Sequence, residues 1–295
     1  MLTLKEVMRS LQRLRKKVKY KSFLGLGIAG NFALHLAQAG ELEDFKDVIT
    51  ADEAAPKGMF PFYLPLHVKE AKAILNTYPL SSSTIKHPKE NVNIQAEPEV
   101  ALICRLEYEN NKLSKITPTH FGAYNDCSIR VAGASKISDK KNWGADSKGL
   151  SEDLINIDSF SDGSIMDNYS ICSFLKRDAQ VHAYGEDVEL SGYSYFYEKL
   201  LDWMIKQINT QENFGPLEPL CEYIRACKYP TDAVISIGAT RYTSYGESTF
   251  LKEGDEVFVI LYNNKTLSYK EILQKIKNDT LNSAEISILR QTVIS

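Results

Sequence analysis

Two short patterns in this chain combine residue types that can do chemistry with a spacing that brings them together. The first is Glu97-Pro98-Glu99, which opens an apolar run from Val100 to Tyr108. Residues two apart on a strand project to the same face, so a strand here would carry both carboxylates side by side. Adjacent carboxylates repel unless a cation lies between them, and oxygen ligands of this kind suit a hard divalent ion such as Mg2+ or Mn2+. An exposed strand edge is the commoner explanation of such a pair taken alone. The second pattern is Asp126, set in His120-Phe121-Gly122-Ala123-Tyr124-Asn125-Asp126-Cys127-Ser128-Ile129-Arg130. An acid among apolar and aromatic neighbours is paired or binds metal when buried. The bland alternative is a turn Asp following Asn125.

Other chemistries are excluded by what is missing. There is no G-x-G-x-x-G, P-loop, G-x-S-x-G or H-E-x-x-H pattern, so common nucleotide-binding and hydrolase signatures are absent. Gly25-Leu26-Gly27 with Ala29-Gly30 faintly resembles a dinucleotide loop, but its third glycine is misplaced and no acid follows at the required distance. Five cysteines, with no C-x-x-C pair, make a poor disulfide framework and a poor zinc site. Reduced thiols in a cytoplasmic protein are the expectation. With 35 Lys+Arg against 38 Asp+Glu the net charge is −3, without the basic surplus of a nucleic-acid binder. No apolar run reaches the roughly 18 residues of a membrane helix.

Hydrophobic periodicity supplies the elements that must position these residues. Leu4, Val7, Met8, Leu11, Leu14 and Val18 recur at helical spacing, with Thr3 and Glu6 as a capping box, so 1–22 reads as a basic amphipathic helix. Strands are expected at Lys21 to Leu26, Val100 to Tyr108, Ala233 to Ile237 and Glu256 to Tyr262, the last two nearly continuously apolar and so buried on both faces. Asn31 to Ala39 reads as a short helix, and proline-punctuated Pro56 to Pro65 as extended or looped. Stripes at Tyr193 to Ile208 and Leu217 to Cys227 read as helices, and Ser268 with Glu271 caps another through Lys277. Ser135 to Asp167 reads as a long polar loop, the kind of segment that often carries function. Many strands with a few irregularly placed helices predict an α+β fold.

Taken in order, the pieces resemble the fumarylacetoacetate hydrolase family, whose members hold Mg2+ or Mn2+ with an E-x-E pair and a later Asp in N-D-x-[ST]-A-R-D. Glu97 and Glu99 match the pair, and Asn125-Asp126-Cys127-Ser128-Ile129-Arg130 matches the segment with Ile129 for Ala. The family's G-x-N-Y-x-x-H-x-x-E-x-G signature is similar to Gly30-Asn31-Phe32-Ala33-Leu34-His35 continuing to Gly40. Ile237-Gly238-Ala239-Thr240 and Phe250-Leu251-Lys252-Glu253-Gly254-Asp255 resemble the two halves of its C-terminal signature.

The resemblance implies a mixed β-sheet roll with flanking helices. It makes 23–264 the core domain, 1–22 an N-terminal addition and 265–295 a C-terminal helical extension. It further implies Glu97, Glu99 and Asp126 as metal ligands, His35, Gln38 and Lys148 as the catalytic set, and Arg130, Tyr124 and Thr240 as substrate contacts. The implied chemistry is chelation of a small oxo acid by the ion, leading to C–C hydrolysis, decarboxylation or hydration. Members of the family usually dimerise, so a homodimer without nucleic-acid or membrane partners is expected.

Departures are concentrated in the proton-transfer residues. Gln38 stands where the family has a Glu that orients the His; an amide can hold the imidazole but cannot become negative. Lys148 follows Trp143 one residue later than in the W-x-x-x-K pattern. Phe62-Tyr63-Leu64-Pro65 lacks the Lys of F-L-K-P, and the Gln of the family's central hairpin is replaced near His182. A weakened or inactive ligand-binding or interaction module is therefore the alternative function. An anionic partner for the basic N-terminal helix is a third, independent one.

Overall fold

In the computed structural model, described over residues 20–90, 92–281 and 286–295, the chain folds into mixed sheets with a few helices between them. This is the α+β class expected from the sequence. The basic helix expected at 1–22 falls almost wholly outside the described residues.

Among the described residues the strands are Leu24–Ala29 (β1), Gly58–Tyr63 (β2), Leu80–Ser81 (β3), Thr84–Lys86 (β4), Asn93–Gln95 (β5), Pro98–Glu109 (β6), Lys112–Asn125 (β7) and Ser128–Arg130 (β8). They continue as Lys148–Leu150 (β9), Ile155–Asn156 (β10), Tyr169–Arg177 (β11), Gln180–Glu189 (β12), Asp232–Ser236 (β13), Glu256–Asn263 (β14) and Ile286–Ile294 (β15). The largest sheet has the order β2-β1-β13-β6-β7-β9-β3, with β10 also on β7. A second has the order β12-β11-β14-β15-β4, and β5 pairs with β8.

The apolar runs of β6 and β13 lie side by side in the middle of the first sheet, antiparallel, with Ala101 opposite Ser236 and Cys104 opposite Ala233. Where they pair, residues 101–104 of β6 and 233–236 of β13 are buried without a break, as continuous rather than alternating hydrophobicity requires, whereas β6 alternates beyond Arg105. On the other side of β13, β1 uses its glycines for close packing. A Cβ on Gly25 would sit 2.4 Å from the Phe62 ring, and one on Gly27 2.3 Å from that of Phe60. These glycines admit the aromatic side chains of β2, which is why they do not form a phosphate loop.

Besides the strand expected at Lys21 to Leu26, which runs Leu24–Ala29, and the helix expected over Asn31 to Ala39, which is only His35–Gln38, three segments differ from the sequence reading. The helix expected from Tyr193 begins at Tyr197, because the buried Asn31 side chain takes both the N–H and the carbonyl of Tyr195. A backbone committed to Asn31 cannot join the helical ladder. The polar stretch 135–167 holds a short helix, Ser138–Lys141, and strands β9 and β10. The segment 265–295, expected to be a helical extension, has its capped helix at Tyr269–Lys277 but then enters the second sheet as β15, between β14 and β4. Ile286, Leu289 and Val293 are buried there, so this end of the chain is structural core.

Candidate metal centre

The long β6–β7 hairpin carries the acidic residues. Its register sets Pro98 opposite Asn125 and Glu99 opposite Tyr124, so the next step outward brings Asp126 beside Glu97. The Asp126 N–H donates to the Glu97 carbonyl at 2.9 Å, and the Asn125 side-chain oxygen accepts from the Glu97 N–H at 3.0 Å. Gln291 of β15 accepts from the Asn125 amide and donates to the carbonyls of Thr84 and Lys148, fastening the second sheet to this end of the hairpin. Glu97, Glu99 and Asp126 are all buried, with one carboxylate oxygen from each within 4.8 Å of the others.

Burial on this scale demands counter-charge. Lys141 places its ammonium 2.8 Å from Glu97 Oε2 and 2.7 Å from Asp126 Oδ2. Lys148 lies 2.6 Å from Asp126 Oδ1, and Arg130 lies 2.8 Å from Glu97 Oε1. Each oxygen of Glu97 and Asp126 therefore faces a basic nitrogen. An outer layer continues through Glu41, which pairs with Arg130 and Lys140 at 2.9 Å each, and Asp44, which pairs with Lys140 at 2.8 Å.

These neighbours set the protonation preferences. Burial favours a neutral Glu97, but Lys141 and Arg130 beside it hold its carboxyl well below the usual range. Glu99 goes the other way: burial, then the negative charges of Asp126 and Glu97, push it well above that range. Its Oε2 accepts from the Gly238 N–H at 3.1 Å. Burial depresses Lys148 with help from Lys141, while Asp126 opposes the shift. In Lys141 the attraction of Asp126, Glu97 and Glu41 overcomes burial and raises it.

The resemblance-based site residues are distributed unevenly around this cluster. His35 is buried with Nε2 3.8 Å from Glu97 Oε2, too far for a hydrogen bond, and neither ring nitrogen has a hydrogen-bond partner among the described residues. Gln38, expected to hold that imidazole, instead bonds the main chain of Tyr242. The reason is local: His35–Gln38 is a single helical turn, and its far end faces the Tyr242 loop. Arg130 is spent on Glu41, Glu97, Gln95 and the Tyr242 hydroxyl. Thr240 is tied to the Pro98 carbonyl through both N–H and hydroxyl. Tyr124 is buried beside the acids with no hydrogen-bond partner for its hydroxyl among the described residues, and burial raises its pKa well above the ordinary value.

Lys141, Glu41 and Tyr242 escape sequence reasoning. Lys140-Lys141 in a polar stretch looks like a solvated pair, and Glu41 follows a glycine with no pattern around it. Only the packing of the Ser138–Lys141 helix on β8 and β2 brings these charges inward.

The donor set suits a hard divalent cation. All three groups are carboxylates, and Glu97 Oε1 and both Asp126 oxygens are buried with ion pairs but no aligned hydrogen-bond donor.

Residues 41–293 match a family model described as "Family of unknown function (DUF5718)". No curated protein matches the chain. Among solved structures it is similar to the crystal structure of Cg1458 with inhibitor, at TM-score 0.52 and 16% identity over 92% of this chain and 77% of that one. It is similar to 2-keto-3-deoxyarabinonate dehydratase at TM-score 0.52 and 12% identity, covering 92% and 73%. An Oleispira antarctica protein provisionally described as a fumarylacetoacetate isomerase/hydrolase is similar at TM-score 0.50 and 13% identity, covering 92% and 93%. At such identities the likeness shows the fold, which is that of fumarylacetoacetate hydrolase.

Proposed function

The chain belongs to DUF5718, a family of unknown function, and from that premise we propose that it is a divalent-metal-dependent enzyme acting on a small oxo acid. The single observation that carries the reading is the convergence of Glu97, Glu99 and Asp126 with His35 and Lys148 at one end of the β6–β7 hairpin. A fold shared with a dehydratase of a 2-keto acid supports the substrate class.

Glu97, Glu99 and Asp126 would hold the ion, Mg2+ or Mn2+. When bound, it supplies Lewis-acid chelation of the carboxylate and keto oxygens of the substrate. The protein residues have separate tasks. His35, whose ring nitrogens have no hydrogen-bond partner among the described residues, takes or gives a proton at the substrate. The Tyr124 hydroxyl donates to an oxygen that gains charge. Lys148, held by Asp126 and the Cys127 carbonyl, adds positive potential. The buried rings of Phe60, Phe62 and Tyr242 pack against Lys141, Tyr124 and His35. Hydrolysis, decarboxylation and hydration all fit these roles.

Calorimetric titration of Mg2+ and Mn2+ into the wild type and Glu99→Ala tests the site: binding should be lost in the variant. Equal affinity in both would refute the assignment. One observation favours a second reading, a ligand-binding module with little turnover: Gln38 is engaged with Tyr242, and the His35 ring has no hydrogen-bond partner to orient it among the described residues. No turnover across a panel of acylpyruvates and oxaloacetate, with metal bound, would select it.

A further inference from the structure

The Lys141 ammonium occupies the position between two of the three carboxylates that a divalent ion would need. It contacts Glu97 Oε2 and Asp126 Oδ2, and the remaining oxygens of those residues are met by Arg130 and Lys148. The closed network pairs Glu41, Asp44, Glu97 and Asp126 with as many basic side chains, Arg130, Lys140, Lys141 and Lys148. A divalent ion added to it would find Glu99 as the one acid of the triad outside these pairs, a single carboxylate against two charges, in a region where water screens little.

The bases differ in how firmly they are held. Lys148 starts β9, where its chain pairs with β3, and its ammonium also donates to the Cys127 carbonyl at 3.2 Å. Arg130 is anchored by bonds to Gln95, Glu41 and the Tyr242 hydroxyl. Lys141 ends a helix of four residues, and its ammonium contacts those two carboxylates and approaches the Phe60 ring. It is the one of the three whose side chain can swing away without breaking a sheet or an anchored fork.

We propose that Lys141 is a resident cation of this centre, which a divalent ion must displace from Glu97 and Asp126 in order to bind. The inference rests on the reading of the triad as a cation site and adds the device that sets its affinity. Lys141 keeps the acids neutralised and the fold intact without metal, and it lowers the affinity of the triad for any ion that cannot outcompete a covalently tethered ammonium.

The test is calorimetry with Mn2+ on the full-length wild type, Lys141→Met and Lys141→Arg, with thermal unfolding followed with and without Mn2+. Lys141→Met should bind Mn2+ roughly tenfold or more tightly than the wild type, and only its melting temperature should rise strongly with the ion. Lys141→Arg should keep the weak affinity. A Lys141→Met chain that is unfolded alone but folds on adding Mn2+ also supports exchange. Equal affinity in wild type and Lys141→Met would overturn the proposal while leaving the metal site intact. Absence of binding in every form would bring down the metal reading and the proposal with it. A Lys141→Met chain that stays unfolded at any Mn2+ concentration would show a purely structural lysine, also overturning the exchange.

Discussion

Gln38 and Tyr242 grip each other through an amide pair: Gln38 Nε2 donates to the Tyr242 carbonyl at 3.1 Å, and the Tyr242 N–H donates to Gln38 Oε1 at 2.9 Å. An amide can do both; a carboxylate can only accept. Gln38→Glu should therefore cost about 1–3 kcal/mol rather than create a catalytic dyad, because it sets a charge against a carbonyl. Chemical denaturation of the two proteins at neutral pH measures this, and an unchanged midpoint would contradict the pairing.

Gly238 donates its N–H to Glu99 and adopts φ +109°, while a Cβ there would lie 3.0 Å from that of Asn31. Gly238→Ala should lower stability by about 2–4 kcal/mol, through left-handed strain and the displacement of Asn31. Its denaturant midpoint should fall with the slope unchanged.

Glu218 packs beside the Ser138–Lys141 helix. Burial pushes its pKa up to about 7, against a partial counter-effect of the Ser138 hydroxyl and Lys136. Between its ordinary value and about 7 the folded state retains a proton that the unfolded chain releases. Stability from this group is thus present at low pH and falls as pH rises through that window, by up to roughly 3 kcal/mol. Glu218→Gln should match the wild type near pH 4 and exceed it at pH 8 in melting temperature. Parallel pH profiles would count against the shift.

Leu34 is 71% exposed and sits at φ +70°, immediately before His35. Leu34→Gly should relieve left-handed strain and raise stability by up to ~1 kcal/mol, whereas β-branched Leu34→Val should lower it. Thermal unfolding of the pair decides; the opposite order would place no strain at this turn.

Tyr124 buries a hydroxyl that has no hydrogen-bond partner among the described residues. Tyr124→Phe should be neutral or stabilising by about 1 kcal/mol, since no bond is lost, yet should reduce turnover on an accepted oxo acid. Loss of stability would mean that the hydroxyl is already engaged.

The acidic triad was legible in the primary structure because its geometry is nearly local. Glu97 and Glu99 adjoin one strand, Asp126 closes the next, and hairpin pairing alone makes them neighbours. The same holds for the capping box at Ser268 and Glu271, which forms as the spacing requires. Strand β15 was also within reach, since its buried residues largely alternate, but the helix before it suggested continuation.

What the sequence by itself determined is the class of fold and the acidic half of the centre, through short-range spacing and hydrophobic period. Tertiary structure alone decided the basic half. Whether Lys141 faces water or Asp126, and whether Gln38 meets His35 or Tyr242, depends on contacts between segments far apart in the chain. Long polar side chains have no periodic signature, because either solvent or a buried acid can satisfy them. Their placement follows only once the sheets have closed around the charges that they must neutralise.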